Sequence, residues 1–293
     1  MKGTGIMVFL MSFSLMIFAQ RFDFDYFGFP SPGDSIKLFA PNMVSLKNVK
    51  EKSLAISPAG DEVFFSGGKT WPESKIMHVK KINNRWGEPR VADFNVDCFA
   101  CEPAFSPDGK YLFFSSSKGE ADIKQYCIWR MERVGTEWDQ PQKIINIPDP
   151  NIWEFHPTIA KNGSIYFCYW DDQKQFGCIY KSEYSGGIYT EPTKISVPFT
   201  IQSSDTDPFI DPDEKYLITS STGQNGKGGY DVYISYKKED GSWSFPGNPS
   251  DRFNTSGDED SFDISPDGRF VFIYKQNDIY WTEANGVIVT EKR

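Results

Sequence analysis

One pattern recurs five times along this chain: a short apolar run, a turn, and a second apolar run. The clearest copy is Glu102-Pro-Ala-Phe-Ser-Pro-Asp-Gly-Lys-Tyr-Leu-Phe-Phe114. The others run from Ser53 to Phe65, His156 to Cys168, Asp207 to Thr219 and Asp260 to Ile273. Ser57-Pro58, Ser106-Pro107, Ala160-Lys161, Asp211-Pro212 and Ser265-Pro266 mark the turns, at spacings of 49, 54, 51 and 54 residues. That is the period of a propeller blade. Proline and glycine fall where a β-turn uses them, as in Ser57-Pro-Ala-Gly60.

Two further runs follow each pair, giving four strands per repeat. In the first repeat these are Lys75 to Val79 and Trp86 to Val91. Trp86, Trp138, Tyr189 and Trp243 recur at spacings of 52, 51 and 54, each followed three residues later by Pro89, Pro141, Pro192 or Pro246. Proline cannot donate to a ladder and is tolerated on edge strands, so this marker belongs to the outer strand of each blade. The aromatic partners read as packing residues between sheets.

The fifth repeat lacks the marker, and a partly apolar stretch from Ile36 to Ser45 precedes the first. Joining the two closes the ring and leaves no unpaired edge. Val287 to Val289 competes for the same place. The expected fold class is therefore all-β: a five-bladed β-propeller of four-stranded antiparallel blades, closed by the N-terminal strand. Blades are expected at about 53–95, 101–150, 154–201, 205–253 and 258–285 plus 36–46, within one domain spanning 36–293.

Met1-Lys2 and the 14-residue apolar run Ile6 to Ala19 read as a cleaved export signal, too short to cross a bilayer comfortably. Residues 1–19 are assigned to that signal and 20–35 to an irregular leader, with Gln20 or Arg21 as the mature N-terminus. An uncleaved anchor is the competing reading. The expected location is periplasmic or secreted, with no transmembrane segment after cleavage. Net charge is −9 and no basic run occurs, which argues against nucleic acid and anionic membranes as partners. Five cysteines leave at least one unpaired, and Cys98-Phe-Ala-Cys101 has no second pair to complete a zinc site.

Ser106-Pro-Asp-Gly-Lys-Tyr-Leu-Phe-Phe-Ser115 and Ser265-Pro-Asp-Gly-Arg-Phe-Val-Phe272 resemble the TolB-like (WD40-like) β-propeller repeat. Gly228-Gly-Tyr-Asp-Val-Tyr-Ile-Ser235 looks like stand-alone secreted members of that family in Bacteroidetes-type bacteria. The resemblance spans about residues 50–282 and implies a fold; its members serve as scaffolds, periplasmic binding modules and enzyme-associated domains. TolB itself is six-bladed with an added domain, whereas five blades and no such domain are read here.

In a propeller, links from one outer strand to the next inner strand gather around one mouth. Here they end in Glu102, Glu154, Asp205, Asp207, Asp258, Glu259 and Asp260, with His156 in the corresponding place in the third repeat and Glu51 near the first. Carboxylates about 8 Å apart repel by roughly 2 kcal/mol per pair at an effective dielectric near 20. A desolvated ring of them needs cations, protons or donated hydrogen bonds. Ca2+ or another cation at the funnel would serve, and so would backbone N–H groups at each blade junction. Trp71 and Trp170 lie in links opening on the same face and could stack on a sugar or peptide. The expected function is binding of a protein or carbohydrate ligand at the funnel. The alternative is a carbohydrate-active enzyme drawing on Glu102, Glu154 and Asp207. A scaffold role, with a partner on the blade sides, is a third reading. The sequence singles out no catalytic pair, and its two histidines, His78 and His156, leave little material for histidine chemistry.

Overall fold

The computed structural model describes residues 25–70, 73–95, 98–119, 125–145, 147–196, 203–223, 226–250 and 252–285. They form five small antiparallel sheets arranged as a five-bladed propeller. The inner strands are Lys50–Ile56, Ala100–Phe105, Ile152–Ile159, Asp205–Ile210 and Asp260–Ile264. The second strands are Glu62–Gly68, Tyr111–Ser116, Ile165–Asp171, Tyr216–Ser221 and Phe270–Lys275. The third are Lys75–Ile82, Cys127–Val134, Phe176–Ser182, Asp231–Tyr236 and Asp278–Glu283.

The outer strands of blades 1 to 4 differ from the sequence reading in one respect: each is broken. In blade 1, Arg85–Trp86 and Arg90–Val91 both pair with the third strand, before and after Pro89. Blade 2 repeats this with Glu137–Trp138 and Gln142–Lys143 around Pro141. In blade 4 only isolated bridges at Trp243 and Gly247 remain around Pro246. A proline has no N–H to donate, so the ladder lapses where it stands.

Among the described residues the core is mainly five separate seams, one at each blade interface, with a smaller sixth cluster of Phe99, Cys101 and Tyr126. Phe64 packs in the seam between blades 1 and 2, whereas Phe65 packs between blades 5 and 1. Phe113 and Phe114 divide in the same way. Successive side chains of a strand point to opposite faces, and both faces of a second strand are covered. That is why these strands read as unbroken apolar runs. Trp86, Trp138, Tyr189 and Trp243 each pack against a seam, as packing residues should.

Closure follows the first of the two expected routes. Lys37–Leu38 pairs antiparallel with Trp281 and Tyr280, and the Phe39 N–H donates to the Ile279 carbonyl at 2.9 Å. Phe39 is fully buried against Phe272 and Trp281. The competing strand at Val287 to Val289 lies outside the described residues, as does the apolar run from Ile6 to Ala19. The stretch before the closing strand is irregular but anchored. Tyr26 is buried against Trp281, and its hydroxyl donates to Asp267 at 2.9 Å. Asp25 accepts from Trp86 Nε1 at 2.7 Å and pairs with Lys81 at 3.0 Å. The leader thus ties blade 5 to blade 1.

Candidate functional site

Each inner strand carries a bulge, and each bulge places one residue in the left-handed region. These are Ser53 (φ 52°), Glu102 (55°), His156 (55°), Asp207 (48°) and Ser261 (49°). All five stand four residues before the turn residue of their repeat. A left-handed conformation costs a side-chain-bearing residue roughly 1–2 kcal/mol. Glycine or asparagine would hold the same backbone at less cost, yet neither occurs at any of the five. The backbone device repeats; the chemistry on it does not.

Hydrogen bonds hold the bulges in place. The Glu102 N–H donates to Ser66 Oγ and the His156 N–H to Glu102 Oε2, both at 2.7 Å. The side chains then meet on the propeller axis. His156 Nδ1 lies 2.9 Å from Asp207 Oδ1 and 3.7 Å from Glu102 Oε1. Lys52 Nζ lies 3.1 Å from Asp207 Oδ1 and 3.5 Å from Glu102 Oε1. Ser53 and Ser261 complete the ring, their hydroxyls 3.4 Å apart. Glu102, His156 and Asp207 are 1%, 3% and 3% exposed, so water screens none of them.

Charge decides their protonation. Burial works against both carboxylates, but Lys52 and His156 outweigh it and hold Glu102 and Asp207 below the usual carboxylate range. Burial likewise disfavours the imidazolium, but Asp207 and Glu102 raise His156 to about 10. The cluster is therefore two anions balanced by two cations. Even so, Glu102 Oε1, His156 Nδ1 and Asp207 Oδ1 make no aligned hydrogen bond. These three atoms lie within 4.8 Å of one another and could hold a metal ion.

A cavity of about 600 Å³ reaches this cluster. Its floor includes Ser53, Glu102 and His156. Its walls include Phe105, Phe209 and Tyr216, and prolines of the strand 1 to strand 2 turns form its mouth. This cavity opens on the turn side; another, of about 300 Å³ and lined by Asp258, Glu259 and Asp260, lies at the strand-entry end read from the sequence. Asp263 also lines the cavity, and burial raises its carboxyl to about 6.

The remaining acids do other work. Glu154 accepts from the Ile147 N–H at 2.6 Å and the Ile128 N–H at 3.2 Å. Glu51 accepts from the Leu46 N–H, and Glu259 from the N–H and hydroxyl of Thr255. Asp205 accepts from Ser221 Oγ at 2.6 Å, and burial raises it to about 6. These four stand two residues before their bulges; Glu51, Glu154 and Glu259 cap the links between blades, and Asp205 bonds within its own sheet. Asp260 lies next to the Lys52 group; burial, then Asp207 and Asp258, raise it to about 6 even though Lys52 pulls the other way. Trp170 is half-buried opposite Trp153 at the strand-entry end, packed against Phe155 and Gly177. Trp71 lies outside the described residues. Sequence reasoning missed Lys52, Ser53, Ser261 and Asp263. The shared repeat position of Ser53 and Ser261 with Glu102 was the available signal.

No family description and no curated protein matches the chain, so the likeness to TolB-like repeats stands on the repeats alone. Solved structures do match. A thermostable family-43 glycoside hydrolase aligns with a TM-score of 0.53 at 11% identity, covering 82% of this chain and 90% of that one. An endo-arabinase from Bacteroides thetaiotaomicron aligns with a TM-score of 0.51 at 16% identity, covering 85% and 98%. A post-proline cleaving enzyme from Rickettsia typhi aligns with a TM-score of 0.43 at 11% identity, and the chain spans 33% of its length. At such identities the likeness concerns the fold.

Proposed function

We propose that the axial cavity binds a neutral carbohydrate. One observation carries this reading: a charge-balanced, dehydrated polar cluster forms the floor of a cavity whose walls are aromatic and proline-rich. The paired charges leave the cavity floor with no net charge, yet they keep lone pairs and donors for hydroxyl groups. Apolar walls with a few convergent polar groups are the common form of a small-molecule site. The chain is proposed to be exported, as its first residues suggest. An intact mass beginning at Gln20 or Arg21 would agree, and one retaining Met1 would not.

A second reading is hydrolysis of a glycosidic bond, and it has its own support. Glu102 and Asp263 line one cavity, and their surroundings push them apart: Glu102 is held ionised, while Asp263 keeps its proton nearer neutrality. A carboxylic acid facing a carboxylate is the pair that glycoside hydrolysis uses. The family-43 hydrolase and the endo-arabinase share the propeller fold with this chain.

A glycan array and a panel of aryl glycosides, run on the mature chain, separate the two. Binding without turnover supports the first reading. Turnover abolished by Asp263→Asn with binding retained supports the second. A chain that retains no glycan and cleaves no glycoside has neither function.

A further inference from the structure

We propose that Glu102, His156 and Asp207 form a divalent-cation site on the propeller axis, suited to an ion such as Mn2+ or Zn2+ rather than Ca2+. Three blades each contribute one ligand, and each ligand sits on a left-handed bulge that aims it inward. Metal–ligand bonds of about 2.0–2.2 Å leave neighbouring ligand atoms about 3–3.5 Å apart. Here His156 Nδ1 is 2.9 Å from Asp207 Oδ1 and 3.7 Å from Glu102 Oε1. The same three atoms are buried, and their contacts are ion pairs with one another and with Lys52, the pairing that an ion would replace.

The donor set selects the ion. Ca2+ takes six to eight oxygens, whereas one imidazole with two carboxylates suits a first-row ion. Three protein ligands leave coordination positions open, and Glu102 and His156 border the cavity where they would open.

Lys52 is the competitor. Its ammonium stands 3.1 Å from Asp207 Oδ1, in the place a cation would take. Its side chain is 16% exposed, and Asp260 and the Tyr274 ring, 5.9 Å away, offer it a second position. Metal entry would release the proton on His156 Nδ1 to solvent and move the ammonium out of the cluster toward Asp260, so two carboxylates with a divalent ion leave the cluster as neutral as the two ion pairs did. The site would therefore bind modestly in the native chain and more tightly without Lys52.

Titration of the native, chelator-treated chain with Mn2+, followed by calorimetry and by the shift in melting temperature, tests this. It is independent of the sugar reading, which the glycan array decides. One saturable equivalent is expected, weakened at least about tenfold in His156→Gln and strengthened at least about tenfold in Lys52→Met. If Lys52→Met fails to fold, the native titration and His156→Gln decide alone. No saturable binding by the native chain overturns the proposal, even if Lys52→Met binds, because Lys52 would then replace the ion permanently. Binding unchanged in His156→Gln overturns it as well, since the ion would sit elsewhere.

Discussion

His156 sits between Asp207 and Glu102 with almost no solvent contact, and this fixes how the molecule responds to alkali. Its folded-state value of about 10 lies above the ordinary 6.5. Its contribution is therefore complete below pH 6.5 and lost as pH rises toward 10. A melting temperature that falls over this window in the native chain, and falls less in His156→Gln, is the expected result. Glu102, His156 and Asp207 were legible as a set because they share a repeat position. Their division from Glu154 and Asp205, two residues earlier, was not. In a regular strand residues two apart share a face, so all of these would line the axis together. The bulge breaks that alternation, sending one acid to the axis and the other to the blade junction. A bulge leaves no mark on hydrophobic period. Lys52 was missed for the same reason, since nothing marks its position as reaching two other blades.

Strands and turns carry a second set of charges, at the seams. Glu62 opens the second strand of blade 1 and is fully buried among His78, Lys80 and Arg133, with Arg133 reaching across from blade 2 at 2.5 Å. Burial opposes its charge, but these partners lower it from 4.5 to about 2. Its contribution is present above pH 4.5 and lost as pH falls toward 2; it amounts to about 3 kcal/mol at most. Glu62→Gln should flatten that part of the acid-unfolding profile, as circular dichroism would show. Between blades 3 and 4, Glu214 takes the turn position that glycine fills in other repeats, at φ 56°. It accepts from the Tyr166 hydroxyl and pairs with Lys181 and Lys237. Glu214→Gly should relax the turn yet lower the melting temperature, because the cross-blade contacts outweigh roughly 1 kcal/mol of strain. The place of the outer strands follows from the proline marker in the sequence, but their breaks at those prolines emerge only in the structure. Such clamps do not follow from any marker, because their cross-blade partners are far apart in sequence, Glu62 and Arg133 by 71 positions and Tyr166 and Glu214 by 48.

At the scale of the whole molecule, stability rests on five seams and one closing strand. Phe39→Ala should cost about 3–5 kcal/mol, the range for a buried phenylalanine, read from denaturant midpoints. Deleting residues 25–46 removes Phe39, Val44 and Tyr26 from the seam between blades 5 and 1, and should abolish the folded state rather than loosen one blade. A deletion chain with native circular dichroism and an unchanged melting temperature would refute this. The pairing of Lys37–Leu38 with Trp281 also bears on biosynthesis. A ribosome makes the closing strand before blade 1 and its partner only with blade 5. Throughout elongation that first segment has no docking site, and two apolar sheet faces wait uncovered. Assembly can finish only once the third strand of blade 5 has emerged, so translation products that stop before it should be fully susceptible to proteases and prone to clump.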